Sequence, residues 1–143
     1  MDSPITEDNL IDEMRTAFPE LEDTYQQIVE KWGDDLPGRY TIVGETLAAS
    51  VRRELSAGEI TEFLRRSAMF MERVSVSGDD EAINIIWIKI FEWLIFQPKE
   101  LKLVWSILGS ATKAHIRDAA HRWTEAGKHF GSVDGLPEAN IPD

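Results

Sequence analysis

"EAINIIWIKIFEWLIF", residues 81–96, places eleven large apolar side chains in sixteen positions of a 143-residue chain whose net charge is −11. A run of this kind is a membrane span, a core helix or a surface that meets a partner. It falls short of the roughly eighteen apolar residues a span requires, and Asn84, Lys89 and Glu92 interrupt it. Advanced at 100° per residue, Trp93, Ile86, Ile90, Ile83, Leu94, Trp87 and Phe91 fill one unbroken arc of about 160°. The rest of the circumference interleaves Asn84, Lys89 and Glu92 with Ile85, Ile88, Ile95 and Phe96. The pattern predicts the central helix of a domain, each buried apolar residue contributing about 1.5–3 kcal/mol. Its second face is covered either by neighbouring helices or by a partner.

Helical periodicity continues on both sides of this run. Thr6 is placed to cap a first helix bearing Leu10, Ile11, Met14 and Phe18, and Pro19 suits the first turn of a second. In that second helix Leu21, Tyr25, Ile28, Val29 and Trp32 form an apolar stripe ended by Gly33, with Tyr25 and Trp32 read as core. After the loop "GDDLPGRY" (33–40), Val43, Leu47, Val51 and Leu55 repeat every four residues. Ser56 and Glu59 have capping-box spacing before a fourth helix with Ile60, Phe63, Leu64, Phe70, Met71 and Val74 inward and Met69 outward. Asp79 is placed to cap the central helix, Pro98 opens a sixth helix to Leu108, and Ser110 opens a seventh that Gly127 is expected to stop. The expectation is an all-α single domain of about seven helices packed as antiparallel helical hairpins around the helix at 81–96. It spans residues 1–126, with a loosely structured C-terminal tail at 127–143.

Chemistry is sparse. The chain has no cysteine, which excludes disulfides and thiolate metal sites. His115, Asp118 and His121 step by three, so the two histidines end about 120° apart on their helix, poor geometry for one metal ion. Arginine followed by histidine at Arg117/His121 and Arg122/His129 is the pattern of some helical ribonucleases, but the first pair is too closely spaced and the second crosses Gly127. Glycine-rich phosphate loops and nucleophile elbows are absent. No catalytic residue, cofactor or metal is therefore expected, and the paired arginines 52/53 and 65/66 read as partners of Glu54, Glu59, Glu62 and Glu72.

Charge is unevenly placed. Residues 1–35 carry eleven acids against Arg15 and Lys31, a net −9, whereas 36–78 are almost balanced. This disfavours nucleic acid and anionic membranes as partners and favours a basic protein surface, for which negative charge speeds encounter. The candidate partner-binding residues are Asp12, Glu20, Asp23, Glu30, Asp34, Asp35 and Tyr40. With neither a basic start nor an apolar run at the N-terminus, the expected location is cytoplasmic. Monomer and homodimer remain open.

Four stretches in order, "FPELEDTY", "GRYTIVGETLAASVRREL", "FMERVSVSGDDEAINIIWIKIFEWL" and "LGSATK", resemble small helical immunity proteins encoded with bacterial polymorphic toxins. The pattern spans about residues 10–123: an apolar residue before Glu72, a turn with Gly78 and Asp79, then Asn84 and Glu92. The family pattern expects proline after the glycine of "LGS", where Ser110 stands. The resemblance implies an all-α cytoplasmic protein that occludes one cognate toxin domain, and it brings no catalytic residues. The alternative expectations are a non-catalytic helical adaptor or scaffold that self-associates through Met69 or the apolar helix, and, third, a ribonuclease-like enzyme.

Overall fold

The computed structural model describes residues 4–129, 131 and 136–142. It is a single all-α domain of seven helices: α1 (Leu10–Ala17), α2 (Glu22–Trp32, entered through the 3-10 turn Pro19–Leu21), α3 (39–56), α4 (Glu62–Ser77), α5 (80–94), α6 (Pro98–Trp105) and α7 (Ser110–His129). Short connections make sequence neighbours antiparallel. Ahead of α1, Thr6 accepts the Asn9 amide at 3.2 Å and gives its own amide to Asn9 Oδ1 at 2.7 Å. The extended segment before it pairs Ile5 with Gly78, Ile5 N–H donating to Ser77 C=O and Asp79 N–H to Ile5 C=O. Asp79 caps α5 by accepting the Ala82 amide at 2.8 Å.

The central helix is buried on more sides than a regular wheel allows. Ile86, Ile90, Phe91 and Leu94 are buried as the periodicity predicts, but so are Ile85 and Ile95 on the opposite arc, both at 0 % exposure. Ile83, Trp87 and Trp93 of the expected core arc are only partly covered. The cause is a π turn at Trp87–Phe91. Ile85, Ile90 and Ile95 are five apart, a step that rotates a regular α-helix by about 140°, whereas a π turn takes up roughly one additional residue and brings them to one side. Ile88 and Phe96 remain 40 % and 44 % exposed. The second face is thus partly covered by the domain and partly open.

A second π turn, Gly44–Ala48, lies in α3 and packs against that of α5. Val43, Leu47, Val51 and Leu55 are all buried there, as their four-residue repeat predicts. Arg52 ties the two helices by donating to Lys89 C=O at 3.1 Å while its guanidinium lies 5.2 Å from the Trp93 ring centre.

Several boundaries differ from the sequence reading. α4 is capped by Thr61, which accepts the Leu64 amide at 3.2 Å, and not by the Ser56/Glu59 box. Gly58 takes φ +85° between them, a backbone conformation that no helix start at Ala57 would permit. The start of α7 is capped from outside the segment: Glu72 on α4 accepts the amides of Ala111 (3.2 Å) and Thr112 (2.8 Å) and the Thr112 hydroxyl (2.9 Å). Burial pushes the Glu72 carboxyl up, but these hydrogen bonds together hold it below the ordinary carboxylate range. Gly109 makes the approach possible, since a Cβ there would lie 2.2 Å from Glu72 Cδ. Ser110 is the first helical residue, where proline is tolerated, so its departure from the family pattern leaves the helix start unchanged.

Gly127 does not stop α7, which continues to His129; one glycine costs a helix only about 1 kcal/mol relative to alanine. The described part of the tail is docked. Pro137–Asn140 forms a 3-10 turn against α7, with Glu138 N–H donating to Thr124 Oγ1 at 2.9 Å and Asn140 Nδ2 to Ile95 C=O at 2.9 Å. Residues 130, 132–135 and 143 of the expected loose tail lie outside the described residues. Among the described residues no helix is long and apolar enough to cross a membrane.

The π-shifted register makes a direct prediction. Ile85→Ala should lower unfolding free energy by about 2–5 kcal/mol, while Ile88→Ala should change it by less than about 1 kcal/mol. Urea denaturation of the two variants distinguishes this register from a regular helix, which would rank both as outer-face positions.

Candidate protein-docking surface

Eight of the eleven acids of the first third fall into two groups, and the exposed Glu7 and Asp12 belong to neither. Four are consumed by the fold. Asp8 pairs with Arg39 and Glu13 with Arg73, each at 3.0 Å, Glu22 grips Arg15 through two oxygens, and Glu20 takes both terminal nitrogens of Arg66. Three of the six arginines of the balanced middle segment, Arg39, Arg66 and Arg73, are therefore spent on acids of the first third. Arg66 reaches from α4 to the start of α2, also donating to Ala17 C=O at 3.3 Å. The pairings expected within 52–72 are replaced: Glu54 accepts the Thr61 hydroxyl, Glu72 caps α7 and Arg53 reaches Ser50.

The second group faces water. Asp23, Glu30, Asp34 and Asp35 are exposed and have no ion-pair partner among the described residues. Asp23 and Glu30 are seven residues apart on α2, on one side and separated by about 10.5 Å of rise. Asp34 and Asp35 follow at the C-terminal end of the helix, where unpaired carbonyls add partial negative charge.

The seven predicted contact residues therefore separate. Asp23, Glu30, Asp34 and Asp35 share an exposed side and tip. Asp12 lies apart from them, in a groove with Arg15, Thr16 and Glu22. Glu20 is committed to Arg66, whose hydrogen bonds hold its carboxyl below the ordinary range. Tyr40 is not a free anchor: its hydroxyl donates to Glu81 Oε1 at 2.5 Å and accepts from Asn84 Nδ2 at 2.8 Å, pinning the start of α3 to α5. The bond to Glu81 raises the phenol above its usual value, and the Asn84 donor opposes it.

Sequence reasoning missed the apolar members of this surface. Trp32, assigned to the core, is 40 % exposed, and Leu36 in the following loop is 45 % exposed. Between Val29 and Thr41 no residue is buried. Leu21, in the turn before α2, belongs to the core cluster, Tyr25 packs against it, and Ile28 is the last buried side chain of the helix. The visible signal is "WGDDL", where an aromatic closes the helix against glycine and the only apolar residue of the loop stands among acids.

Gly33 shapes this tip. It takes φ +59° and ψ −129°, a backbone conformation that glycine adopts freely, and its amide closes α2 on Val29 C=O at 2.8 Å. Asp35 N–H then donates back to Trp32 C=O at 3.2 Å, so Trp32 and Asp35 bracket one tight turn.

Two other apolar areas are open. Met69 and Val76, seven apart on the outside of α4, are 73 % and 70 % exposed beside a groove of about 570 Å³ lined also by Ala68, Glu72 and Ile107. Ile88, Phe96 and Trp123 form the other, with Trp123 Nε1 donating to Glu92 at 2.9 Å and its ring edge-on to Phe96 at 5.9 Å. The histidines do not converge. His115 stacks edge-on against Trp87, His121 faces Glu138 at 3.3 Å, and Asp118 pairs with Arg122. Arg117 lies over Trp105 while its expected companion His121 turns to Glu138. Among the described residues no group of three acids or histidines could hold a metal ion.

The division between committed and free acids can be read by titration. Glu22 is held at about 2, through hydrogen bonds first from Arg15 and then from Gln26. A carboxyl pKa depressed in the folded state stabilises the fold above the unfolded value near 4.5, and that contribution disappears as pH falls toward about 2. Carboxyl NMR should find Glu22 titrating near 2 and returning toward 4.5 in Arg15→Ala.

No curated protein and no solved structure matches the chain. A family model does, over residues 11–124, from Ile11 in α1 to Thr124 in α7, a span that includes Asp23, Glu30, Asp34 and Asp35. The chain belongs to that family, described as a domain of unknown function (DUF7674).

Proposed function

We propose that this protein is a cytoplasmic immunity protein that binds a cognate bacterial toxin domain and blocks it by occlusion, without catalysis of its own. The observation that carries the reading is the exposed row of Asp23, Glu30, Asp34 and Asp35, left unpaired while neighbouring acids are neutralised by arginines. A fold that spends Arg15, Arg39, Arg66 and Arg73 on four other early acids and none on these keeps negative charge exposed along α2 and at its end. Such a field accelerates encounter with a basic surface and selects against acidic ones. The resemblance to toxin-associated immunity proteins agrees with this chemistry, since an inhibitor of an enzyme with a basic substrate cleft is served by an acidic, rigid, small domain.

A second reading, a scaffold acting by self-association, is favoured by the Met69/Val76 groove, an apolar area on an otherwise charged helix face. Sedimentation separates the two. A stable homodimer that Met69→Lys dissociates, together with no affinity for a neighbouring gene product, would establish the scaffold.

For the leading reading, the purified protein should form a complex with the toxin domain encoded beside its gene and protect cells that express it. Absence of both complex and protection refutes immunity. Replacing Asp23, Glu30, Asp34 and Asp35 by lysine should slow association by about tenfold or more at low salt, and the wild-type rate should fall as salt is raised. An association rate unchanged by the four substitutions would reduce the acidic row to a solubility feature.

A further inference from the structure

We infer that the tip formed by the end of α2 and the loop after it, with Trp32 and Leu36 as apolar anchors inside a ring of Glu30, Asp34 and Asp35, is the part of the molecule that enters the partner. The occupant it fits is a protein surface with an apolar pocket rimmed by lysine or arginine. This inference rests on the immunity reading and adds to it the location and chemistry of the contact.

Three observations converge on the tip. Trp32 and Leu36 are 40 % and 45 % exposed although nothing in their local chain requires it, and no residue from Val29 to Thr41 is buried. A tryptophan left half in water lowers solubility and adds little to the fold, while tryptophan is among the side chains most enriched at binding hot spots. Second, the surrounding charge is predominantly negative. Glu30, Asp34 and Asp35 outnumber Lys31, whose ammonium sits 5.8 Å from the Trp32 ring centre, and the carbonyl end of α2 adds to the negative field. An apolar centre with an acidic rim is complementary to an apolar pocket with a basic rim. Third, the tip is shaped before any partner arrives. The Gly33 turn, the bond from its amide to Val29 and the return bond from Asp35 to Trp32 fix the backbone, so little ordering entropy is lost on docking.

The roles divide by physical range. Carboxylates act across a Debye length and set the rate of encounter, whereas Trp32 and Leu36 act at contact and set how long the complex lasts. The Met69/Val76 groove is bordered by offsetting charges, Glu72 and Arg73, and the carboxylate beside Phe96 and Trp123, that of Glu92, is already engaged by Trp123 Nε1.

The test uses the full chain and the toxin domain encoded beside its gene, with binding followed by interferometry. Trp32→Ala combined with Leu36→Ala should weaken binding by about 30-fold or more, chiefly through faster dissociation. Asp34→Asn with Asp35→Asn should act chiefly on association at low salt. Met69→Ala and Ile88→Ala should leave both rates within about twofold. Because Trp32 lies next to the helix end, a second measurement needs no variant: hydrogen exchange on the wild-type complex should show new protection at residues 30–37. Binding retained by the Trp32/Leu36 variant, or no protection at the tip, overturns the inference and leaves immunity standing. A wild-type protein that does not bind the toxin overturns both. A homodimer that dissociates on Trp32→Ala would assign the tip to a second copy of the chain and also overturns it.

Discussion

The domain is organised by one constraint: a helix with apolar side chains on almost every side has to be surrounded. Helix α5 meets it through the π turn at Trp87–Phe91, which lets Ile85, Ile90 and Ile95 face inward together with Ile86, Phe91 and Leu94. Helix α3 answers with a π turn of its own at the contact. A π turn leaves its carbonyls less regularly bonded than an α-helix does, and Arg52 supplies a donor to Lys89 C=O from the facing helix. The remaining helices close around this pair. α4 and α7 are joined by Glu72, whose carboxylate serves the amides at the start of α7 and leaves no room for a side chain at residue 109.

Charge is used in two ways by the same short segment. Arg15 joins α1 to α2 through Glu22, while Arg39, Arg66 and Arg73 fasten Asp8, Glu20 and Glu13 of the N-terminal segment to α3 and α4. These pairs are partly exposed, and each contributes modestly to stability. Their larger consequence is spatial: they neutralise Asp8, Glu13, Glu20 and Glu22 and leave Asp23, Glu30, Asp34 and Asp35 exposed along α2 and at its end, beside the exposed Trp32 and Leu36. Acidic and apolar side chains therefore meet at the end of α2.

Much of the fold is legible in the residues. Seven helical segments, the Asp79 cap, Pro98 at the start of α6 and the four-residue repeat of α3 follow from local rules, and the structure contains them; Thr6 accepts the Asn9 amide as a cap would, but α1 itself begins at Leu10. What local rules misplace has a common origin. Trp32 completes an apolar stripe but lies where the stripe runs past the core, so periodicity reads as core what geometry leaves exposed. Glu72, Glu20 and Tyr40 look like surface residues because these partners are 40 or more positions away. The register of α5 beyond Trp87 fails on a wheel because the wheel assumes a constant 3.6 residues per turn.

By itself the sequence determined the class of the protein: an all-α domain with an apolar central helix, and an N-terminal third carrying most of the negative charge. Hydrophobic spacing and capping are local, and composition needs no structure. Tertiary structure decided which acids are neutralised and which stay free, which aromatic residues are anchors and which are core, and where the central helix changes its period. Those outcomes depend on distances between segments remote in the chain, and only packing sets such distances.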